Sequence, residues 1–341
     1  KVIMIKFGVI GCSRISQRSV IPAILKSKNA EIEYIGSRSI EKAKNFANEF
    51  NCTKFGTYDD VICDDSVDAV YISTPIGTHE EWALKASSAG KHILCEKSST
   101  TSFASATKMV DNAKKNNIRL MEGFMFRFHP QHKKVYELIN AQKIGKLISF
   151  NGHFGFPAFP DGDIRYDNKL GGGFLNDSGC YPICASRMIF NKEPIGVSCN
   201  QSIDSKTGVD SHGTSFIKYD EEKIATVTYG NGNYYQSTYD VWGSSGIISL
   251  ERAYSVPNDF TTKVNMKYDI KNDWNGRKIK SFEITPTNHF ERMIDAFCME
   301  ISKEKHAEFN FEEELLNQAK VMQAHRISSK EKRFVELNEI K

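Results

Sequence analysis

Short apolar segments alternate with helical segments over the first 122 residues, and this alternation constrains the fold more than any other feature. The apolar segments begin near Ile5, Glu31, Asp68, Lys91 and Ile118, and each ends at glycine or polar residues. Strands that alternate with helices form a parallel sheet covered by helices. We therefore predict an α/β fold whose N-terminal part, residues 1–122, is a doubly wound parallel sheet of the Rossmann type.

The remaining residues, 123–341, show a different pattern. The chain has 341 residues, which exceeds what one core usually covers, so we expect two domains. From Ile195 to Ile284 short alternating runs are broken by Gly, Asn and Asp, as is typical of antiparallel strands. With helices predicted near 131–139, 288–301 and 311–328, we expect an α+β domain with a large, mostly antiparallel, open sheet.

Composition excludes several classes of protein. The net charge of +3 gives no support for nucleic-acid binding, and no apolar run approaches the roughly 20 residues of a membrane span. The eight cysteines contain no CxxC pair, which favours a reduced, cytoplasmic protein. Cys180 and Cys184 share a helix face, but no nearby ligand completes a zinc set, so we predict no metal.

The first strand closes on a glycine turn. The segment Gly8-Val-Ile-Gly11 is followed by Cys12-Ser13-Arg14-Ile15 and a helical pattern, the context of a dinucleotide-binding turn. Ser13 and Ser16 stand where the second and third glycines of GxGxxG are usual. We expect the Ser13 hydroxyl to donate to a phosphate oxygen, while the helix N-terminus presents unpaired N–H groups.

The second strand ends in Ser37-Arg38-Ser39, with Lys42 one helical turn further on. An acidic residue at this tip favours NAD, whereas cations favour the 2′-phosphate of NADP. Arg38 offers two-pronged phosphate contact and stacking on adenine. We therefore predict NADP(H) rather than NAD(H), the alternative being that Arg38 and Lys42 are solvated charges at a helix start.

Lys97 ends the strand that begins at Lys91 and lies where open α/β sheets bind their ligands. A partly buried lysine is a usable acid or base near neutral pH. The alternative is a surface lysine paired with Glu96. The preceding strand ends in Ser73-Thr74-Pro75, which brings further polar groups to the same edge of the sheet.

A second cluster follows the aromatic, proline-rich segment Phe154–Pro160. Asp177 and Tyr181 are four residues apart and share one helix face, so the pair is suited to orienting a phenol for proton transfer. As alternatives, Asp177 is an N-cap and Tyr181 a core residue. The loop before them carries Arg165, and its length suggests a substrate lid, with apolar anchoring as the alternative.

Four segments resemble the glucose–fructose oxidoreductase/inositol dehydrogenase (Gfo/Idh/MocA) family. They are Gly8-Val-Ile-Gly-Cys-Ser-Arg-Ile15, Ser73-Thr-Pro-Ile-Gly-Thr-His79, Gly90-Lys-His-Ile-Leu-Cys-Glu-Lys97 and Gly171-Gly-Gly-Phe-Leu-Asn-Asp-Ser-Gly-Cys-Tyr181. The segment Glu122–Pro130 is similar to the branch of dimeric dihydrodiol dehydrogenases, NADP-linked xylose dehydrogenases and nucleotide-sugar 3-ketoreductases. That branch carries tyrosine at the position of Tyr181, where inositol dehydrogenases have histidine.

The resemblance implies an NADP(H)-dependent oxidoreductase that moves hydride to or from a carbinol or keto carbon of a sugar or nucleotide sugar. It implies that Lys97, Tyr181 and Asp177 are catalytic, with Tyr181 or Lys97 passing the proton beside one nicotinamide ring. Arg127, Arg165, Asp177 and Tyr181 are the expected substrate contacts. The expected cofactor contacts are Gly8, Gly11, Cys12, Ser13, Arg14, Ile15, Ser37, Arg38, Lys42, Ser73, Thr74, Pro75, His79, Glu96 and Lys97.

Two departures and two alternatives accompany this hypothesis. Ser98 replaces the proline of the family's Glu-Lys-Pro, so the turn loses a fixed φ, and Ser13 replaces a common glycine. The alternatives are an aldose or dihydrodiol-type dehydrogenase of free small substrates and a sensor that binds NADP without turnover. Members of the family associate through the open sheet, so we expect a homodimer or homotetramer.

Overall fold

The computed structural model describes residues 4–269, 276–302 and 309–341. The chain divides into two compact units. Unit 1 comprises residues 1–125, 169–171 and 290–319, and unit 2 comprises 126–168, 172–289 and 320–341. The predicted domain division between residues 122 and 123 stays a prediction.

Strands and helices of both units have the following bounds. The strands are β1 (Ile5–Ile10), β2 (Ala30–Gly36), β3 (Lys54–Gly56), β4 (Ala69–Ile72), β5 (His92–Cys95), β6 (Leu120–Glu122), β7 (Leu147–Phe156), β8 (Gly196–Ile203), β9 (Asp210–Lys218), β10 (Ile224–Asn231), β11 (Gln236–Gly243), β12 (Gly246–Leu250), β13 (Thr262–Asp269), β14 (Arg277–Ile284) and β15 (Val335–Glu336). The helices are α1 (Ile21–Lys26), α2 (Ile40–Glu49), α3 (Tyr58–Cys63), α4 (His79–Ser88), α5 (Phe103–Lys115), α6 (Pro130–Asn140), α7 (Cys180–Phe190), α8 (His289–Ile301) and α9 (Phe311–Glu331).

Unit 1 is built on a parallel sheet with the strand order β3-β2-β1-β4-β5-β6. All four residues of β4 are buried, because helices cover both faces, and this explains why the strand is continuously apolar rather than alternating. The predicted doubly wound parallel sheet is confirmed. The strand β3 was not predicted, since three residues are too few to show a pattern.

Residues from the C-terminal part of the chain complete unit 1. The ring of Phe297 in α8 lies 6.1 Å from that of Phe7 in β1. Beside β6, Arg119 donates from Nε to Glu312 at 3.0 Å and from Nη1 to Glu300 at 3.4 Å. These three charged side chains are buried, and their mutual pairing offsets the cost of removing each from water.

Unit 2 is built on a sheet with the strand order β14-β13-β12-β11-β7-β10-β9-β8-β15. The pair β7–β10 is parallel and the other pairs are antiparallel, so the predicted mostly antiparallel sheet is confirmed. Helix α7 lies close against β7. A Cβ at Gly152 would be 2.7 Å from Pro182 of that helix, so only glycine permits this approach.

One face of this sheet carries buried side chains such as Phe150, Phe154 and Tyr239. The opposite face mixes polar residues with large apolar ones, and Trp242 there is 55% exposed. Within the described ranges, no helix has both the length and the apolar character needed to cross a membrane.

Candidate active site

The carboxyl ends of β1, β4 and β5 lie side by side in unit 1, and the sheet order reverses between β1 and β4. Open α/β sheets bind nucleotides at such a switch point. Gly11 ends β1 with φ +110°, and a Cβ there would lie 3.1 Å from the Ser73 backbone and side chain. The Ser73 hydroxyl donates to the Gly11 carbonyl at 2.7 Å, which holds the two strand ends together.

The two serines that replace glycines bond to the turn itself. The Ser13 hydroxyl accepts from the Ser16 N–H at 3.1 Å and donates to the Ser16 hydroxyl at 3.2 Å. The Ser16 hydroxyl is fully buried, 2.7 Å from the Ser13 carbonyl and 3.1 Å from the Gly11 carbonyl, and its hydrogen is donated within the turn. Both side chains therefore stabilise the turn before the π-helical segment Ser16–Val20. The expected donation from Ser13 to a phosphate stays a prediction.

At the tip of β2, Arg38 is exposed, whereas Ser37 is buried and donates its N–H to Gly56. The Ser39 hydroxyl caps α2 by accepting from the N–H of Lys42 at 3.2 Å. Tyr58, which sequence reasoning missed, lies close to Arg38. Burial raises the pKa of the Tyr58 phenol, and the Arg38 guanidinium opposes that rise.

Among the other expected cofactor contacts, Arg14 is exposed and Ile15 is half-buried, while Cys12 is buried beside the Gly36 carbonyl. Burial raises the pKa of the Cys12 thiol to about 11, so it is a neutral packing group. Gly8 lies inside β1, and a Cβ there would be 2.3 Å from Val61, so Gly8 serves the packing of α3 on the sheet. Contact of these residues with a bound dinucleotide stays a prediction.

His79 joins the ends of two neighbouring strands. It is fully buried, with Nε2 2.8 Å from the Thr74 carbonyl and Nδ1 3.2 Å from the Ser98 carbonyl. Burial lowers the pKa of His79, so the ring is neutral and donates its single N–H to one of these two carbonyls. The side chain therefore contacts the backbone of both segments, Thr74-Pro75 and Lys97-Ser98, and helps to hold them in place.

The turn that carries Lys97 is held by its neighbours. The Glu96 carboxylate accepts from the Tyr71 hydroxyl at 2.7 Å and from the Lys97 N–H at 3.3 Å. On the other side, the Ser99 N–H donates to Glu122 at 2.7 Å. Lys97 itself is half-buried, and the Lys97–Ser98 peptide bond is cis. Tyr71 and Glu122 were not predicted, because their role depends on strand neighbours far away in sequence.

In unit 2, Asp177 lies on a π-helical turn, Leu175–Gly179, that leads directly into α7. Such turns occur often at functional sites. Asp177 is not the N-cap: Asp210 of β9 accepts the Leu175 N–H at 2.6 Å instead. Arg326 of α9 donates to the Asn176 side chain at 2.6 Å.

Arg165 is bonded to two carboxylates. Its Nε donates to Asp177 at 2.8 Å and its Nη1 donates to Asp163 at 2.9 Å. The guanidinium also lies over the ring of Phe159, 4.1 Å from the centroid. The structure thus brings together two of the predicted site residues, Arg165 and Asp177, in a direct ion pair that sequence reasoning did not foresee.

Tyr181 is 6% exposed and is surrounded by aromatic rings. The centroid of Phe154 lies 5.0 Å away with the rings perpendicular, and Phe126 and Tyr254 lie at 5.7 and 5.9 Å. Arg127 is half-buried on the 3₁₀ turn Met125–Phe128. In the part of the chain that the structure describes, no group of three His, Cys, Asp or Glu side chains is arranged to hold a metal ion.

Comparison with known proteins places the chain in a family. Residues 5–124 match the model of an oxidoreductase family with an NAD-binding Rossmann fold, and residues 132–249 match the GFO/IDH/MocA C-terminal domain. A dTDP-3,4-didehydro-2,6-dideoxy-α-D-glucose 3-reductase of Actinomadura kijaniata is 31% identical over 327 residues, which is 96% of each chain. The NADP⁺-linked D-xylose 1-dehydrogenase 2 of Haloferax volcanii is 34% identical, covering 86% of this chain and 87% of its own.

Among solved structures, a 3-ketoreductase from Actinomadura kijaniata in complex with NADP and TDP-benzene is similar throughout. Its TM-score is 0.89 at 31% identity, with 95% of this chain and 98% of that chain covered. The chain belongs to the GFO/IDH/MocA oxidoreductase family. The predictions of family, fold class and enzyme class are confirmed.

Proposed function

We propose that the protein catalyses NADP(H)-dependent hydride transfer to or from a carbinol or keto carbon of a nucleotide sugar. The similar reductase, xylose dehydrogenase and NADP-bound 3-ketoreductase confirm the predicted class, an NADP-dependent sugar oxidoreductase. The observation that carries the proposal is Lys97, half-buried on a hydrogen-bonded turn at the carboxyl edge of a dinucleotide-binding sheet.

The cofactor would be held by residues of unit 1. The Gly11 turn with Cys12, Ser13, Arg14 and Ile15 suits the pyrophosphate, and the exposed Arg38 with Ser37 and Lys42 suits a 2′-phosphate. Ser73, Thr74, Pro75 and Glu96 line the neighbouring strand ends, and His79 supports them. When bound, the nicotinamide supplies the hydride chemistry.

The chain itself moves the proton and orients the substrate. Tyr181 or Lys97 passes a proton to or from the substrate oxygen, and Asp177 orients the neighbouring hydroxyls. Arg127 and Arg165 are the predicted substrate contacts, and Arg127 is the candidate for contact with the phosphates. The joint action of Lys97 from unit 1 and Tyr181 from unit 2 stays a prediction, tested by comparing Lys97→Met, Tyr181→Phe and the double variant.

The substrate is tested by measuring turnover with three compounds. We expect NADPH to reduce dTDP-3,4-didehydro-2,6-dideoxy-α-D-glucose, and NADP⁺ to oxidise D-xylose and trans-1,2-dihydrobenzene-1,2-diol much more slowly. Preference for D-xylose would favour the aldose dehydrogenase alternative. NADPH binding without turnover in a broad sugar panel would favour the sensor alternative and contradict the proposal.

The choice of cofactor is tested at the tip of β2. Arg38→Ala is expected to weaken NADPH binding by about 10–100-fold while NADH binding changes little, because only NADPH carries the 2′-phosphate. Arg18→Ala, which removes another exposed arginine of the same unit, is the matched control. A wild-type preference for NADH would contradict this assignment.

We also propose a homodimer or homotetramer that associates through the open face of the unit 2 sheet, in the cytoplasm. Trp242, Phe216 and Ile279 on that face are 55%, 39% and 73% exposed, so large apolar side chains on three of its strands lie open to contact. All eight cysteines are free thiols, as expected in a reducing compartment. Trp242→Glu is expected to lower the molar mass measured by sedimentation, and an unchanged mass would contradict the proposed interface.

A further inference from the structure

The short turn that carries Arg165 is built around Asp163. The Asp163 carboxylate accepts the Arg165 N–H at 3.0 Å and caps the 3₁₀ turn Ile164–Tyr166. The same carboxylate accepts Arg165 Nη1 through both oxygens, at 2.9 and 3.2 Å. Asp163 therefore fixes both the backbone and the side chain of Arg165.

The guanidinium of Arg165 is also fixed from its flat side. It lies 4.1 Å from the centroid of Phe159, and that ring stacks on Phe174 with an interplanar angle of 13°. Phe174 directly precedes the π-helical turn that carries Asp177. A planar cation held over an aromatic ring keeps a defined orientation, which a flexible ammonium does not.

The backbone beneath Arg165 joins the same turn. The Arg165 carbonyl accepts the Gly173 N–H at 2.9 Å, and a Cβ at Gly172 would lie 2.5 Å from that carbonyl. Gly173 has φ +107°, a conformation that glycine adopts without strain. The glycine segment thus permits the Arg165 turn to lie directly on the start of the Asp177 turn.

These contacts direct the guanidinium toward Asp177. An arginine held in this way is poorly suited to bind a phosphate of the substrate. Arg165 Nε donates to Asp177 at 2.8 Å, in an ion pair whose partners are 33% and 16% exposed. A charge-assisted bond of this length in a partly buried site is among the stronger polar contacts of a protein. Two carboxylates already compensate the positive charge, so the local charge around Arg165 is negative and attracts a further phosphate weakly.

We propose that Arg165 is a positioning residue that acts through Asp177, with Asp163 as its anchor, and is not the receptor for the substrate's phosphates. This rests on the proposed function, in which Asp177 orients the substrate hydroxyls. The ion pair holds the Asp177 carboxylate in one orientation before the substrate arrives. Loss of the guanidinium then lowers the rate of the reaction rather than the affinity for a nucleotide.

The test is a double-variant cycle between Arg165 and Asp177. Arg165→Met keeps the apolar contact with Phe159 and is expected to lower kcat about 10–100-fold, with KM within about threefold. In the Asp177→Asn background, Arg165→Met is expected to change kcat less than about threefold, because its effect passes through Asp177. Arg165→Lys, which keeps a cation, is expected to recover part of kcat.

Binding of dTDP, measured by calorimetry with the NADP complex, separates positioning from phosphate contact. A Kd for dTDP within about threefold of wild type in Arg165→Met supports the proposal, whereas a weakening beyond about tenfold overturns it. The proposal would also be overturned if the losses of kcat in Arg165→Met and Asp177→Asn multiplied in the double variant. Arg252→Met is the matched control, since Arg252 likewise lies over an aromatic ring, that of Tyr235, and is expected to leave kcat unchanged.

Failure of this proposal and failure of the proposed function give different results. Wild type could bind NADPH but neither turn over the sugar panel nor bind dTDP. In that case the proposed function is wrong, and the proposed role of Arg165, which rests on it, is wrong as well. If wild type is active and Arg165→Met is equally active, the proposed function stands and only the role of Arg165 is overturned. Thermal unfolding of each variant shows whether a loss of activity comes from misfolding.

Discussion

The turns that carry Lys97 and Asp177 are held by different kinds of contact. Around Lys97 the partners include Tyr71, His79 and Glu122, and the His79 ring lies against two backbone carbonyls. Around Asp177 the partners are Arg165, Asp210 and Arg326, all charged. The first turn is supported at the ends of neighbouring parallel strands, and the second by charges from a loop, a strand and a helix.

This difference shows two ways in which the protein holds a turn in one defined conformation. Parallel strands bring their carboxyl ends together, so β4, β5 and β6 supply short hydrogen bonds to the Lys97 turn at little entropic cost. The Asp177 turn precedes helix α7 and does not follow a strand of a parallel sheet. Charged side chains from distant segments perform that task, and their contacts are sensitive to substitution and to pH.

The largest expected effect is the loss of the group that moves the proton. Lys97→Met is expected to lower kcat by about 10²–10⁴, the usual contribution of a general acid or base, while NADPH binding is retained. Steady-state kinetics and fluorescence titration with NADPH measure the two quantities. Lys115→Met, at the exposed end of α5, is the control. A Lys97→Met variant that keeps more than a tenth of wild-type kcat would remove Lys97 from the mechanism.

Acid is expected to weaken unit 2 more than unit 1. Burial lowers the pKa of His132 and His289 to about 3 and that of His325 to about 4, and all three belong to unit 2. The unfolded chain binds protons below about pH 6.5 and the folded chain does not, so stability is lost as pH falls from 6.5 toward 4. Each histidine then costs up to about 2 kcal/mol at pH 5.

Hydrogen exchange followed by mass spectrometry resolves the two units. Peptides of unit 2 are expected to lose protection at a higher pH than those of β1 and β4, although His79 in unit 1 adds an effect of the same sign. His325→Asn is expected to reduce the pH slope of the unfolding free energy by about one proton. Substitution of the exposed His212 by Gln is the control. Equal loss of protection in both units would contradict the expected greater acid sensitivity of unit 2.

Removal of His79 tests how far the buried imidazole holds the Lys97 turn in place. His79→Ala removes the ring that lies between the carbonyls of Thr74 and Ser98 and donates to one of them, and it is expected to cost about 1–3 kcal/mol of stability. Because both strand ends move, kcat and NADPH affinity are each expected to fall by about tenfold. Calorimetry with NADPH and steady-state kinetics measure this. A variant with normal NADPH affinity would show that the two strand ends are fixed without the imidazole.

The smallest effect is expected for a single bond of the Lys97 turn. Tyr71→Phe removes the hydroxyl that donates to Glu96, and kcat is expected to change less than about threefold, because His79 and Glu122 still hold the turn. Set beside the larger loss expected for Arg165→Met, this sharpens the contrast between the two turns. An equally large loss in Tyr71→Phe would show that the Lys97 turn depends on one contact as well.

Much of the fold could be predicted because the pattern is local. The alternation of strand and helix indicated the parallel sheet, and the bounds of α3 and of the strand before Lys97 follow from residues within a few positions. The effect of Ser98, which replaces the family's proline, on the Lys97 turn could not be judged from local sequence. The hydrogen bonds that hold this turn come from residues 19 to 25 positions away.

By itself the sequence indicated the fold class and the family, and it predicted the type of cofactor and the position of Lys97 at a strand end, because periodicity and short motifs encode these locally. Only the tertiary structure decided that Asp210 rather than Asp177 caps the π-helical turn, that Ser13 bonds within its own turn, and that Arg165 pairs with Asp177. Such pairings depend on which distant charges the packed backbone brings within about 3 Å, and no local pattern records that distance.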